Sequence, residues 1–346
     1  MYSPKYKISN KILKNLNRIS AAHNLIVNAP LIPKWESKLR KEAMIRSAHF
    51  STSIEGNKLT INEVRAIFEG KEVYARPRDK QEVLNYKKVL EFINKEPEPT
   101  IETIKEIDKV NLEKIDEENG GKFRKIQNYV VKEKAGKMEI IYTPPKSSVV
   151  PKLMRDLVSW INESIKKDVS PIIIAAIAHY ELVSIHPFLD GNGRTARALA
   201  TLILYRLGYD TKRLFSLEEY YDQDLARYYS ALQSAQKDRG KKEDLTFWIE
   251  YFTEGIASEL TTIEKQILDI SRDRILKERV GQIELNQRQM KAVAYLQKHG
   301  KIAIKDYKGL QPNITEKTAY RDLKDMEKNG IIKAIGEKKG RHYILV

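Results

Sequence analysis

Two long apolar segments, IIIAAIAHYELV (172–183) and ARALATLILYRLG (196–208), restrict the fold of this chain more than anything else in it. Each reads as a helix with too few polar residues to lie on a surface, so both belong to a core. They are joined by His186-Pro187-Phe188-Leu189-Asp190-Gly191-Asn192-Gly193-Arg194-Thr195-Ala196-Arg197, and this polar, glycine-rich stretch is therefore held between two core helices. Apolar residues recur three and four apart in 10–26, 59–68, 80–95, 101–116, 149–166, 172–185, 194–207, 217–237 and 244–270, which predicts a mainly helical chain. A further helix from about Trp35 should end at Gly56, with the next beginning over Asn57 to Thr60. The exception is Asn128 to Tyr142, where two β-prone runs flank a Lys-Ala-Gly-Lys turn and Pro144-Pro145 follow, a pattern that predicts a hairpin flap.

Composition removes several chemistries. The 346 residues contain no cysteine, which excludes a disulfide scaffold, a thiolate zinc site, an iron–sulfur cluster and a cysteine nucleophile. The longest unbroken apolar run, Ile172 to Ala178, is far short of the roughly 18 residues a bilayer requires, and the Lys- and Asn-rich start lacks the apolar core of a signal peptide. A cytoplasmic protein without a membrane span is the expectation. The net charge of +15 is unevenly placed: residues 285–346 carry +8 and the first 284 only +7. Either a lysine-rich solvated surface or an acidic partner such as nucleic acid or nucleotide fits that balance.

The loop between the apolar helices has the parts of a phosphate site. Gly191 and Gly193 let backbone N–H groups come close to a ligand, and the helix starting near Arg194 turns its positive end toward them. Arg194 and Arg197 share one face of that helix's first turn, where two cations are unfavourable unless an anion is bound. Asp190 offers the hard oxygens that suit Mg²⁺ on phosphate, and His186 is placed to act as a base. Taken singly, each residue has an ordinary structural reading; in this order and spacing they fit phosphoryl or nucleotidyl transfer, which needs positioning, cation clamps and an activated hydroxyl.

HPFLDGNGRTAR resembles the signature of the Fic (filamentation induced by cAMP) family, HxFx[D/E]GNGRxxR, and the resemblance extends over roughly Ser47 to Tyr251. It implies a helical Fic fold that transfers AMP from ATP, with Mg²⁺, to a Ser, Thr or Tyr hydroxyl of a target protein. His186 would deprotonate that hydroxyl and Asp190 would hold Mg²⁺. Gly191, Asn192 and Gly193 would form the anion nest, Arg194 would contact the phosphates, and Arg197 would anchor the γ-phosphate. Gly193 sets the chain apart from the related Doc kinases, which resemble the motif but carry Lys there. The segment 128–145 is similar to the family's target-docking flap, and Tyr229, with Gln236 as a weaker candidate, lies where the family's adenine pocket falls.

Ser51-Thr52-Ser53-Ile54-Glu55-Gly56-Asn57 resembles the family's inhibitory motif, [S/T]xxxE[G/N], placed ahead of the core. A bidentate pairing of Glu55 with Arg197 would remove the cation that orients the γ-phosphate. Auto-AMPylation is expected once the brake is off; in some relatives the same glutamate serves removal of AMP, so a de-AMPylase is an alternative.

Past residue 284 the pattern changes to helix (Gln287–His299), short helix (Ile304–Leu310), helix (Thr315–Asn329) and two strands around a Glu-Lys-Lys-Gly turn. This resembles a winged helix-turn-helix. Lys317, Tyr320, Arg321 and Lys324 would face duplex DNA from the recognition helix, and Lys338, Lys339 and Arg341 from the wing, with protein docking or dimerisation as the other use of such a module. The expectation is thus a mainly α chain: an N-terminal helical region (1–100) carrying the inhibitory motif, a Fic core (101–252), a helical linker (253–284) and a small winged-helix domain (285–346). A DNA-binding regulator that uses the Fic module as an ATP-responsive switch is the rival to an enzyme.

Overall fold

The computed structural model describes residues 2–29, 33–134, 137–240, 242–281, 285–312, 314–336 and 340–346. The chain divides into two compact units, Met1–Lys265 and Gln266–Val346, with the division inside the stretch read as a linker.

The first unit is built from α1 (Asn10–Asn28), α2 (Pro33–Ser53), α3 (Ile61–Phe68), α4 (Pro77–Ile93), α5 (Ile101–Asn111), a hairpin of β1 (Val130–Lys134) and β2 (Lys137–Tyr142), α6 (Val150–Lys166), α7 (Pro171–Ile185), α8 (Asn192–Leu204), α9 (Leu217–Gln223), α10 (Leu225–Gln236) and the start of α11 (Thr246–Gly281). The apolar segments at its centre are α7 and α8, and they pack on each other. Every residue of α7 from Ile172 to Leu182 is buried, as is almost all of α8, so neither presents a solvent face. α6 lies on α7, α5 on α8, and α2 is flanked by α4 and α9. From α11, Trp248 reaches into this core and donates its indole N–H to the Ala176 carbonyl at 2.7 Å. α1 is fastened along α11 by Asn15 to Thr253 and Arg18 to Glu264.

Local chemistry explains the boundaries. Thr60 caps α3 in a box with Glu63, so this helix starts after the Asn57–Thr60 stretch that was expected to open it. The single helix expected over 217–237 is two, because Asp224 leaves the helical conformation (φ −145°, ψ 75°) and caps α10 by accepting from the Arg227 amide. β1 and β2 pair antiparallel, with a register shift between Val130 and Val131.

The second unit contains α12 (Gln287–His299), α13 (Ile304–Leu310), α14 (Glu316–Lys328) and an antiparallel pair, β3 (Ile332–Ile335) and β4 (His342–Leu345), with Ile302 bridged to Tyr343. Ala292, Leu296, Ile302, Tyr307, Leu323, Met326, Ile332 and Tyr343 form its own core. A buried polar tie sets the three helices against one another: Asp322 of α14 accepts from Arg288 of α12 at 2.8 Å and from the Tyr307 hydroxyl of α13 at 2.9 Å. Among the described residues no helix is long and apolar enough to cross a membrane.

Candidate active site

Helix α7 stops at His186, which turns left-handed (φ 52°, ψ 59°), a conformation that costs a non-glycine residue about 1–3 kcal/mol. The next residue is Pro187, which disfavours the helical conformation for the residue before it. Arg124 holds the strained turn in place, donating to the carbonyls of His186 (2.8 Å) and Ile126 (3.1 Å) and to Pro145 at the base of the flap. The His186 ring is fixed by Nδ1 against the Val183 carbonyl at 3.2 Å. A carbonyl can only accept, so Nδ1 carries the proton and Nε2 is left with its lone pair. Burial lowers the His186 pKa, with the Val183 bond and the Glu55 carboxylate opposing. The ring is thereby kept neutral near pH 7, as a base must be.

After the histidine the loop is closed by Asn192, whose side chain accepts from the Phe188 N–H and donates to the Phe188 carbonyl, both at 2.9 Å. Gly191, at φ 79°, precedes α8 and supplies no side-chain cap. A Cβ there would lie 2.8 Å from Oδ1 of Asp108. The first amides of α8 thus have no side-chain cap and stand at the positive end of a buried helix, an arrangement suited to an anion.

The two arginines of α8 are almost fully buried. Arg194 gives one N–H to Asp190 at 3.3 Å, while its Nε and Nη1 have no partner. Leaving such donors unmet costs about 1–3 kcal/mol each. Arg197 donates from Nε to the Ser51 hydroxyl (2.9 Å) and from Nη2 to the Ser51 carbonyl (2.9 Å) and to Oε1 of Glu55 (2.7 Å). The ion pair expected between Glu55 and Arg197 is therefore present, but through one oxygen rather than bidentate, with Ser51 accepting from Nε and sharing Nη2. Burial alone would lower the Arg197 pKa, yet Glu55 beside it holds the guanidinium above its ordinary value.

Gly193 matters here by what it lacks. A Cβ at this position would collide with the Glu55 carboxylate, so the acid could not keep its present place beside Arg197 if residue 193 carried a side chain.

Glu55, His186, Gly193, Arg197, Tyr229 and Gln236 line one cavity of about 100 Å³, together with Val130 and Tyr142 of the flap, Val183 and Tyr228. Gln236 donates to the Ser184 hydroxyl at 3.1 Å, and the Tyr142 hydroxyl donates to the Ser184 carbonyl at 2.8 Å, which pins the flap to α7. Asp190 lies outside this lining. Its Oδ1 accepts from the Gly191 amide at 2.6 Å and its Oδ2 from Arg78 of α4 at 2.9 Å. Asp190 is half exposed and offers hard oxygens, a donor suited to Mg²⁺ when phosphate oxygens complete the shell. Among the described residues no cluster of three or more His, Cys, Asp or Glu could hold a metal by itself.

Arg78, Asp108 and Arg124 were missed in the sequence because their partners at the site lie 62 to 112 positions away, as with Arg124 to His186 and Arg78 to Asp190. The GKFR run before the flap was the available signal for Arg124.

Residues 98–204, which hold the whole histidine loop and α8, match the family described as Fic/DOC. This part of the chain is a Fic domain. Its curated relatives include a protein adenylyltransferase Fic from Drosophila willistoni, 35% identical over 178 residues (50% of this chain, 34% of the relative). Protein adenylyltransferase fic-1 from Caenorhabditis elegans is 31% identical over 214 residues (58% and 39%). The chain thus spans between a third and two fifths of the length of these relatives. Among solved structures, a Fic family protein from Desulfovibrio desulfuricans aligns over 100% of this chain and 98% of its own, with TM-score 0.66 and 22% identity, which shares the fold. Fic-1 of C. elegans (residues 134–508) aligns over 76% and 74%, with TM-score 0.60 and 25% identity. Glu55, Tyr229 and Gln236 come from outside the Fic domain and complete its cavity from either side in the sequence.

Proposed function

We propose that this chain is a protein adenylyltransferase that transfers AMP from ATP to a hydroxyl of a target protein, and that Glu55 holds the activity off. The observation that carries the reading is the buried arginine pair at the uncapped start of α8: Arg194 has two unmet donors and Arg197 is answered by a carboxylate standing in for an anionic ligand. In the reaction, Nε2 of His186 takes the hydroxyl proton, the hydroxyl oxygen forms a bond to the α-phosphorus, and the α–β bridging P–O bond breaks to release pyrophosphate. The amides of 192–194 and the two arginines hold phosphate oxygens. Mg²⁺ on Asp190 would neutralise charge on those oxygens. The adenine would lie against Tyr229 and Gln236. The target would dock on the flap by strand addition, which the exposed Tyr129, Val131 and Ile140 favour. The adenylyltransferase names of the curated relatives support this reading.

The test is incubation with α-labelled ATP and Mg²⁺. Label should appear strongly on Glu55→Gly, weakly on wild type, and on neither when His186→Ala is added; no label on any folded variant would refute the activity. Removal of AMP by the Glu55-bearing form is the alternative, and it would be seen as loss of label from Glu55→Gly product added to wild type.

A second reading is favoured by the carboxy-terminal unit. Lys317, Tyr320, Arg321, Lys324 and Lys328 are exposed along α14 and line a groove of about 780 Å³. We read this unit as a winged helix that binds duplex DNA, with 101–252 as catalytic core and 253–284 as linker. Arg341, assigned to the wing, pairs with Glu327 and lies over the Tyr343 ring; Lys338 and Lys339 lie outside the described residues.

A further inference from the structure

The turn that carries Glu55 is tied to Asp190 by a second route, separate from Arg197. Asn57, two residues beyond Glu55, is buried; its Oδ1 accepts from the Leu59 amide at 3.1 Å and its Nδ2 donates to Oε2 of Glu82 at 2.9 Å and to the Asp79 carbonyl at 3.0 Å. The other oxygen of Glu82 accepts from Nε of Arg78 at 3.0 Å, and Nη2 of the same guanidinium reaches Oδ2 of Asp190 at 2.9 Å. Glu82 is nearly buried, whereas the Arg78 side chain is 60% exposed, so the arginine is the most exposed link in the series and can swing into solvent.

We propose that Arg78 is a positioning residue that couples divalent-cation binding at Asp190 to release of the Glu55 turn. This rests on Asp190 being the metal carboxylate of the proposed transferase. Oδ1 of Asp190 is already committed to the Gly191 amide and Arg194, so a cation has to take Oδ2, the atom Arg78 occupies. A divalent cation on that oxygen repels the guanidinium, and an arginine that swings out to solvent takes its Nε from Glu82 as well, leaving a nearly buried carboxylate without its ion-pair partner. Such a group is unfavourable where it lies and moves toward water. Its departure removes one of the two acceptors of the Asn57 amide, leaving the Asp79 carbonyl as its remaining tie, and so loosens residues 55–59. Linkage then runs both ways: the cation loosens the turn, and the closed turn weakens the cation. Lysine could not replace Arg78, since one ammonium lacks the planar fork that spans two carboxylates.

The test uses the full chain with Mn²⁺ and ADP as probes. Hydrogen exchange of amides 55–59 should quicken when Mn²⁺ and ADP are added to wild type. In Arg78→Met it should be fast from the outset and indifferent to Mn²⁺, and Arg78→Lys should behave as Arg78→Met. Mn²⁺ should bind Arg78→Met about fivefold more tightly, the factor set by loss of one competing, partly exposed ion pair. An unresponsive turn in wild type, or an equal response in Arg78→Met, overturns the coupling while leaving the transferase intact. Unchanged Mn²⁺ affinity in Asp190→Ala overturns it together with the metal assignment, and both results are independent of whether AMP is transferred.

Discussion

Arg197 is buried so deeply that its charge has to be answered, and in the proposed reaction its two anionic partners, the Glu55 carboxylate and a phosphate, would exclude each other. A charge-assisted hydrogen bond contributes about 1.5–3 kcal/mol, so Glu55→Gly should raise auto-AMPylation at least about tenfold, read as label per minute at fixed ATP. Glu55→Gln should fall between, since it retains a weaker neutral acceptor. His186 sets the pH response. Its folded pKa lies below the ordinary histidine value, and the active form is the neutral ring, so the rate should be level from pH 7 to 8 and fall only as pH drops below that lowered value. A profile that falls between pH 8 and 7 would contradict Nε2 as the base. Asp108 behaves oppositely: burial raises its pKa to about 7, against the Gly121 amide that favours its charge. A carboxyl whose folded pKa lies above its unfolded value contributes stability at low pH that is lost as pH rises through 7. Asp108→Asn should therefore flatten the decline of Tm between about pH 4 and 7, which a pH series of melting curves would reveal.

Among the elements, the strained end of α7 and the base of the flap share one fastener, Arg124, which holds the His186 carbonyl and Pro145 at once. Arg124→Met should leave ATP binding near wild type and slow AMP transfer about tenfold in a Glu55→Gly background, because a misaimed base affects the chemical step more than ground-state binding. Much of this level was legible in the sequence. α7, α8 and the loop between them are contiguous, and their apolar runs and glycines state both the burial and the tight turn between the helices. The hairpin was legible from its β-prone runs and turn, and Glu55 from its place in STSIEGN. The break between α9 and α10 was not, since the apolar periodicity runs through Asp224, whose capping role depends on the backbone it adopts. Nor were Arg78, Asp108 and Arg124, which read as ordinary surface charges until the fold delivers their partners.

For the molecule as a whole, the division into two units separates the two proposed activities. Residues around the cavity all lie in Met1–Lys265, and the basic α14 groove lies in Gln266–Val346. If α14 docks on duplex DNA, log affinity should fall linearly with log salt for the full chain, and Lys317→Ala, Arg321→Ala and Lys324→Ala should each reduce that slope by about one. A slope that all three leave unchanged would move the unit to protein docking. The order of the parts along the chain has one more consequence. Glu55 precedes Arg197 by 142 positions, or about 7–28 seconds of synthesis at about 5–20 residues per second. On the ribosome the proposed brake is therefore made before the site it closes, and a nascent chain has no interval in which an unguarded site could label its neighbours.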